Sequence, residues 1–232
     1  MKNRFYVGGL PGGRGPLELS RRVWVHDGRL LDIWQRRLRL AEGDQVVLID
    51  GQGDDRLYKI FASEPGSVGL QLVTQLEPNF PPRHVYLFWR PSSPDTDRRL
   101  LQTAARLGAR NFIPLLGPDR SDYADRQKQL ALTAIEAATP HWSFAPQVRQ
   151  PVSLAEALGE YQFRVRLYLI DRTGQNRLGE NHEARGLILP PAAGWSEDEQ
   201  AVLAAHRVVR LDPEVTGPAQ EVLAATLAKL LQ

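Results

Sequence analysis

The sequence predicts an α/β chain of two parts: a small β-barrel, then a larger α/β domain with a mostly parallel sheet. Three observations carry this reading. The 232 residues exceed one average domain and suit a split into a small and a medium-sized one. The first 76 residues hold short β-type runs separated by Gly-, Asp- and Pro-containing turns. From His84 onward, aliphatic strands alternate with helical stretches, the pattern of a parallel sheet covered on both faces.

In the first part (1–76), strands are predicted at Arg4–Val7, Val23–His26, Gln45–Ile49, Leu57–Ala62 and Val68–Gln75. One helix is predicted over Arg29–Leu40, where Leu30, Leu31, Trp34 and Leu38 recur on one face. Asp50-Gly51-Gln52-Gly53 reads as a turn between two strands. Residues 77–83, with three prolines, form the linker.

In the second part (84–232), His84–Trp89 reads as a strand. Ser93 then caps a helix with Pro94 at its first position. That helix carries Leu100, Leu101, Ala104 and Leu107 on one face and stops at Gly108. Asn111–Leu116 is the next strand and Asp122–Ala138 the next helix. Arg164–Asp171, Gly186–Leu189 and Arg207–Leu211 read as strands. Ser196-Glu197-Asp198-Glu199 has the form of a capping box opening a helix through Ala205. Pro218–Leu231 is a final amphipathic helix.

Composition removes several function classes. With 42% hydrophobic and 24% charged residues the chain is globular. It has no cysteine, which excludes a disulfide scaffold, a thiol nucleophile and cysteine-based metal sites. No apolar run is long enough to cross a bilayer, so the expectation is a soluble, cytoplasmic protein without a membrane partner. The five histidines form no HxxxH or HExxH pair, so no metal site is expected. There is no GxSxG elbow and no GxxxxGK[ST] loop.

Net charge is only +2, yet only four of the 29 basic residues are lysines. Arginine binds phosphate bidentately and stacks on bases, so the bias fits an RNA partner; it equally fits a genome whose codons favour arginine. Arg36, Arg37 and Arg39 close the predicted helix, and Arg21, Arg22, Trp24 and His26 lie shortly before it. Basic residues interleaved with aromatics suit phosphate contact plus base stacking, while a solvated helix face gives the same pattern. Arg22, Arg36, Arg37 and Arg39 are the candidate RNA-binding residues.

Short motifs, in order along nearly the whole chain, resemble the bacterial 16S rRNA uracil-N3 methyltransferase family of the SPOUT superfamily. Arg4-Phe5-Tyr6-Val7 is similar to that family's RFFV opening. Arg37-Leu38-Arg39-Leu40 with Gly43-Asp44 is similar to VLRLxxGD, and Ile49-Asp50-Gly51 to FDG. Residues Leu101–Ala109 align with IQKATELGV, Ile113-Pro114 and Arg120-Ser121 with the I-x-P…RS stretch, and Glu136-Ala137-Ala138 with the start of EAAEQSxR. Leu187–Glu199 lies where the family has LLIGPEGGxSxxE, and Leu211–Val215 where it has LGxRIL. The resemblance implies a PUA/OB-like barrel that binds RNA and a SPOUT α/β domain whose trefoil knot holds S-adenosylmethionine. It also implies a homodimer acting on ribosomal RNA or the small ribosomal subunit. Carried over by position, the cofactor-binding residues are Leu189, Pro190, Gly194, Leu211, Asp212, Val215 and Thr216.

The sequence departs from the family pattern at the site itself. Thr103 and Arg106 stand where the family has Lys and Glu, and GPEGG is replaced by Pro190-Pro191-Ala192-Ala193-Gly194. A proline offers no N–H and cannot take the backbone angles open to glycine. Gly217 and Ala219 stand at the charged positions of LRTETA. No general base is identified. The residues therefore leave three readings open. The chain is an rRNA methyltransferase, or a catalytically silent RNA-binding or ribosome-assembly protein on the same fold, or a binder of a different small ligand through Asp171, Arg172 and Asp212.

Overall fold

A computed structural model describes residues 3–9, 15–117, 123–171, 184–212 and 219–231. They divide into two compact units: residues 1–80 with 139–145, and residues 81–138 with 146–232.

The first unit contains strands β1 (Asn3–Tyr6), β2 (Arg22–Val25), β3 (Gln45–Ile49), β4 (Asp55–Glu64) and β5 (Ser67–Leu76). They form one sheet in the order β1-β3-β4-β5-β2. β1 runs parallel to β3, and the other pairs are antiparallel. The predicted single helix is instead a short α1 (Gly28–Leu31) continued by a π-helical segment, Asp32–Arg37. Its start is capped by Asp27, whose Oδ1 accepts from the N–H groups of Arg29 and Leu30 at 2.9 and 3.1 Å. The wider turn is closed by the Leu38 N–H donating to the Ile33 carbonyl at 2.8 Å, a five-residue spacing. Leu30, Leu31 and Trp34 are buried together with Phe5, Val46, Tyr58 and Leu70, and the Phe5 and Trp34 rings meet edge to face at 5.3 Å.

The Asp50–Gly53 turn forms as the sequence predicts. The Asp50 carboxylate accepts from the N–H groups of Gln52 and Asp54 at 2.7 and 3.0 Å. Gly51 has φ +81°, and a Cβ there would lie 2.7 Å from both Tyr6 and Ala145, so two constraints select glycine. Ala145 belongs to the segment Thr139–Ala145, which joins this unit although it is distant in sequence. Arg4 is the tie. Its guanidinium reaches Asp55 at 2.5 Å, the Ser143 hydroxyl at 3.1 Å and the Thr139 carbonyl at 3.2 Å. Ser143 also donates to Asp55 at 2.6 Å and accepts from the Asn79 N–H at 2.7 Å.

In the second unit, β6 (His84–Trp89), β7 (Ala109–Pro114), β8 (Gln147–Val148), β9 (Arg166–Ile170), β10 (Ala184–Ile188) and β11 (Val208–Leu211) form a sheet of order β11-β9-β10-β6-β7-β8. Every pairing is parallel. Helices α2 (Pro94–Arg106), α3 (Tyr123–Ala138) and α6 (Ala219–Leu231) pack together, as do α4 (Leu154–Tyr161) and α5 (Glu197–Ala205). The caps read from sequence are present. Ser93 accepts from the Thr96 N–H with Pro94 in the first turn, and Ser196 with Glu199 makes the full reciprocal box. Helix α4 and strand β8 are not among the predicted elements. Ser153 and Glu156 form a second complete capping box there, but only eight residues follow, with Gly159 among them, too short for a helical period to stand out. Asp122 and Pro218, predicted as helix starts, lie outside the described residues.

Asp55 is fully buried, with Arg4 and Ser143 as the partners of its carboxylate. Arg4→Met is expected to cost about 3 kcal/mol, the usual result of stripping the partner from a buried charge. Urea denaturation reads this directly; a midpoint equal to wild type contradicts it.

Candidate functional site

Parallel strands joined by crossovers deliver all their carboxyl ends to one edge of the sheet, where α/β folds bind ligands. In the second unit a cavity of about 700 Å³ lies at that edge, a size that suits a nucleoside-sized ligand. Trp89 and Arg90 reach it from the end of β6, and Leu169, Ile170 and Asp171 from the end of β9. Leu189 to Ala192 follow β10, and Arg210 comes from β11. Ser92, Thr96, Asp97 and Leu100 enter from the start of α2, Gln200 and Leu203 from α5, and Val222 from α6.

Its walls are apolar, and its charges are paired. Arg90 forms an ion pair with Glu199 and lies over the Trp195 ring, 5.7 Å from the centroid. Asp171 accepts from Arg210 at 2.7 Å, and its N–H donates to the Leu211 carbonyl at 3.0 Å. Asp97 is almost wholly buried. It accepts from the Ser92 N–H at 3.1 Å and pairs with Arg126 of α3. Burial raises the Asp97 carboxyl above its ordinary value, with the Ser92 N–H and the Arg126 charge pulling the other way. No cluster of His, Cys, Asp and Glu suited to a metal ion occurs among the described residues.

Of the predicted cofactor residues, Leu189 and Pro190 line the cavity. Gly194 does not; at φ +78° it closes a turn by donating its N–H to the Pro191 carbonyl at 2.9 Å. With prolines at 190 and 191, Ala192 and Ala193 are the remaining amides of this loop. Leu211 is buried at the end of β11, where its carbonyl accepts from the Asp171 N–H, and Asp212 follows it, exposed. Val215, Thr216 and Arg172 lie outside the described residues. The predicted RNA-binding arginines divide. Arg36 and Arg37 both pair with Asp32, at 3.5 and 3.0 Å, and Arg39 ends their segment in the left-handed region at φ +53°. Arg22 is engaged elsewhere, on β2 with Gln71 and Phe61. Sequence reasoning passed over Trp89, Arg90 and Asp97; their signal was their place just past an aliphatic strand and at the start of the next helix.

The fold is one seen in solved RNA methyltransferases. Ribosomal RNA small subunit methyltransferase E from Neisseria gonorrhoeae, solved with S-adenosylmethionine, matches with a TM-score of 0.84 and 19% identity, over 99% of this chain and 97% of that one. A Legionella pneumophila protein provisionally described as a methyltransferase, also solved with that cofactor, matches at 0.76 and 20%, over 100% and 97%. A predicted RNA methyltransferase from Thermotoga maritima matches at 0.68 and 15%, over 98% and 96%. At these identities the likeness is one of fold. No protein-family model matches the sequence, and neither does any curated protein. No helix among the described residues is long and apolar enough to cross a membrane.

Burial pushes the Glu199 carboxyl up, but the Ser196 N–H and the Arg90 guanidinium outweigh it and hold the group below its ordinary 4.5. Stability from such a group is present above its unfolded value and is lost as pH falls through the folded one. Glu199→Gln is therefore expected to cost about 1 kcal/mol near neutral pH, with the difference from wild type narrowing below 4.5. Urea denaturation across this range tests it, and a pH-independent difference counts against it.

Proposed function

We propose that this chain is an S-adenosylmethionine-dependent RNA methyltransferase acting on ribosomal RNA, with uracil N3 as the methyl acceptor. The observation that carries the reading is the cavity at the carboxyl ends of β6, β9, β10 and β11, lined by Leu189 and Pro190, in a fold shared with proteins solved with that cofactor. The residues present suit such a ligand. Leu100, Leu169, Leu189 and Leu203 offer apolar walls for a purine, the Asp171 carboxylate can accept from ribose hydroxyls, and Arg90 and Arg210 can meet a carboxylate. When bound, the cofactor supplies an electrophilic methyl group on a sulfonium centre. The chain's contribution is then to hold acceptor and donor in line and to keep water out, which is where most of the acceleration of such a transfer arises.

The finer parts of the reading belong to the same proposal: a PUA/OB-like barrel in the first unit, a SPOUT domain with a trefoil knot in the second, a cytoplasmic homodimer, and RNA contacts from Arg22, Arg36, Arg37 and Arg39. Leu189, Pro190, Gly194, Leu211, Asp212, Val215 and Thr216 are assigned to the cofactor. A second reading, a catalytically silent RNA-binding or ribosome-assembly protein, draws on one observation. The prolines at 190 and 191 and the turn closed by Gly194 leave few amides in the loop to face a ligand.

Titration calorimetry of the purified chain with S-adenosylmethionine tests the proposal. Binding in the micromolar range is expected. Ala192→Trp, at an exposed position on the cavity wall, should weaken it about tenfold or more while leaving the fold intact, since a bulky ring there occupies ligand space. No heat from folded wild-type protein would defeat the methyltransferase reading and leave the silent one.

A further inference from the structure

The first unit presents an aromatic surface that neither the cavity nor the fold uses. Trp24 and Phe61 are 41% and 40% exposed, in a chain whose other tryptophans include the fully buried Trp34 and Trp89. Their rings meet edge to face at 5.4 Å, and the Arg22 guanidinium lies over Phe61, 5.7 Å from its centroid. Phe61 is the extra residue of a bulge in β4 between Ile60 and Ala62, and its ring covers Gly69 of β5, where a Cβ would lie 2.7 Å from it. The bulge and the glycine together hold the ring against the sheet beside Trp24, which stands opposite Gly69.

The neighbouring row across the sheet is polar and basic. Gln45, Lys59, Gln71 and Arg22 are successive partners on β3, β4, β5 and β2. Gln71 accepts from the Arg22 Nε at 2.7 Å and donates to the Arg21 carbonyl at 3.1 Å, so it is fixed at both ends and steadies the guanidinium. No carboxylate interrupts the row, and neither Arg22 nor Lys59 makes an ion pair among the described residues. Two exposed rings, two cations outside any ion pair and the Gln45 amide, on four adjacent strands, make a surface about 14 Å across, at the usual strand spacing. That is room for two or three nucleotides. Bases stack on exposed rings, cations meet the phosphates, and amides bond base edges. An apolar protein partner would need an aliphatic surround in place of this basic row.

We infer that the outer face of β2, β5 and β4, centred on Trp24 and Phe61 with Arg22 and Lys59 beside them, is a stacking platform for single-stranded RNA. The inference rests on the proposed RNA substrate and adds where its unpaired bases are gripped. Fluorescence anisotropy with a labelled ten-nucleotide oligouridine and the full chain tests it. Trp24→Ala and Phe61→Ala should each weaken binding about five- to a hundredfold, the usual loss for one stacked base. Trp24→Tyr should largely restore it, and Lys59→Gln should flatten the salt dependence. Each variant should keep its calorimetric response to S-adenosylmethionine. If wild type binds the RNA and both Trp24→Ala and Lys59→Gln bind equally well, the platform is overturned while the methyltransferase reading stands. If wild type binds neither the oligonucleotide nor ribosomal RNA, both fail. Should Phe61→Ala unfold, Trp24→Ala and Lys59→Gln decide the matter alone.

Discussion

Parallel pairing in the second unit is the constraint from which the site follows. A parallel strand cannot be reached by a tight turn, so five crossovers join the six strands and all their carboxyl ends gather on one edge. β10 lies between β9 and β6, which sets Trp89, Asp171 and Leu189 around one space although they are far apart in sequence. Backbone pairing does much of the positioning. The Leu189 N–H is held by the Phe88 carbonyl at 2.9 Å and the Asp171 N–H by Leu211 at 3.0 Å, so the loops leave the sheet from fixed points.

Charge around that space is managed in pairs: Arg90 with Glu199, Arg210 with Asp171, and Arg126 with Asp97. Glu199 has two tasks, since it also closes the capping box that starts α5. Through Arg90 the same carboxylate steadies a cation over Trp195, so helix initiation and the shape of the cavity wall are coupled. The prolines of the 190–194 loop act in the opposite sense. They stiffen the backbone and withdraw donors, placing more of any ligand's recognition on side chains and apolar contact.

Much of the fold was legible in the sequence because local signals and long-range packing agreed. Ser93-Pro94 and Ser196-x-x-Glu199 state where helices begin, and the aliphatic runs at His84–Trp89 and Arg166–Ile170 state which strands are buried. Where a local signal was weak or a partner was remote, reading failed. The short α4 has a capping box but too little length for a period to show. The π-helical turn at Asp32–Arg37 follows a pattern that reads as an ordinary helix. The tie of Arg4 to Thr139 and Ser143 spans more than 130 residues and leaves no periodic trace. Among the residues that line the cavity, Leu189 and Pro190 are also named by the family resemblance, whereas Arg90 and Asp97 needed the topology. The pairing of Trp24 with Phe61 needed the strand register and a bulge.

The proposed role of the cavity at the carboxyl edge is methyl transfer to RNA. Its most direct test is incubation of the purified chain with S-adenosylmethionine carrying a labelled methyl group and small ribosomal subunits from cells lacking this protein. Label is expected in the RNA, recovered on nuclease digestion as N3-methyluridine. Complete absence of label, with chain that is folded and binds the cofactor, would contradict it.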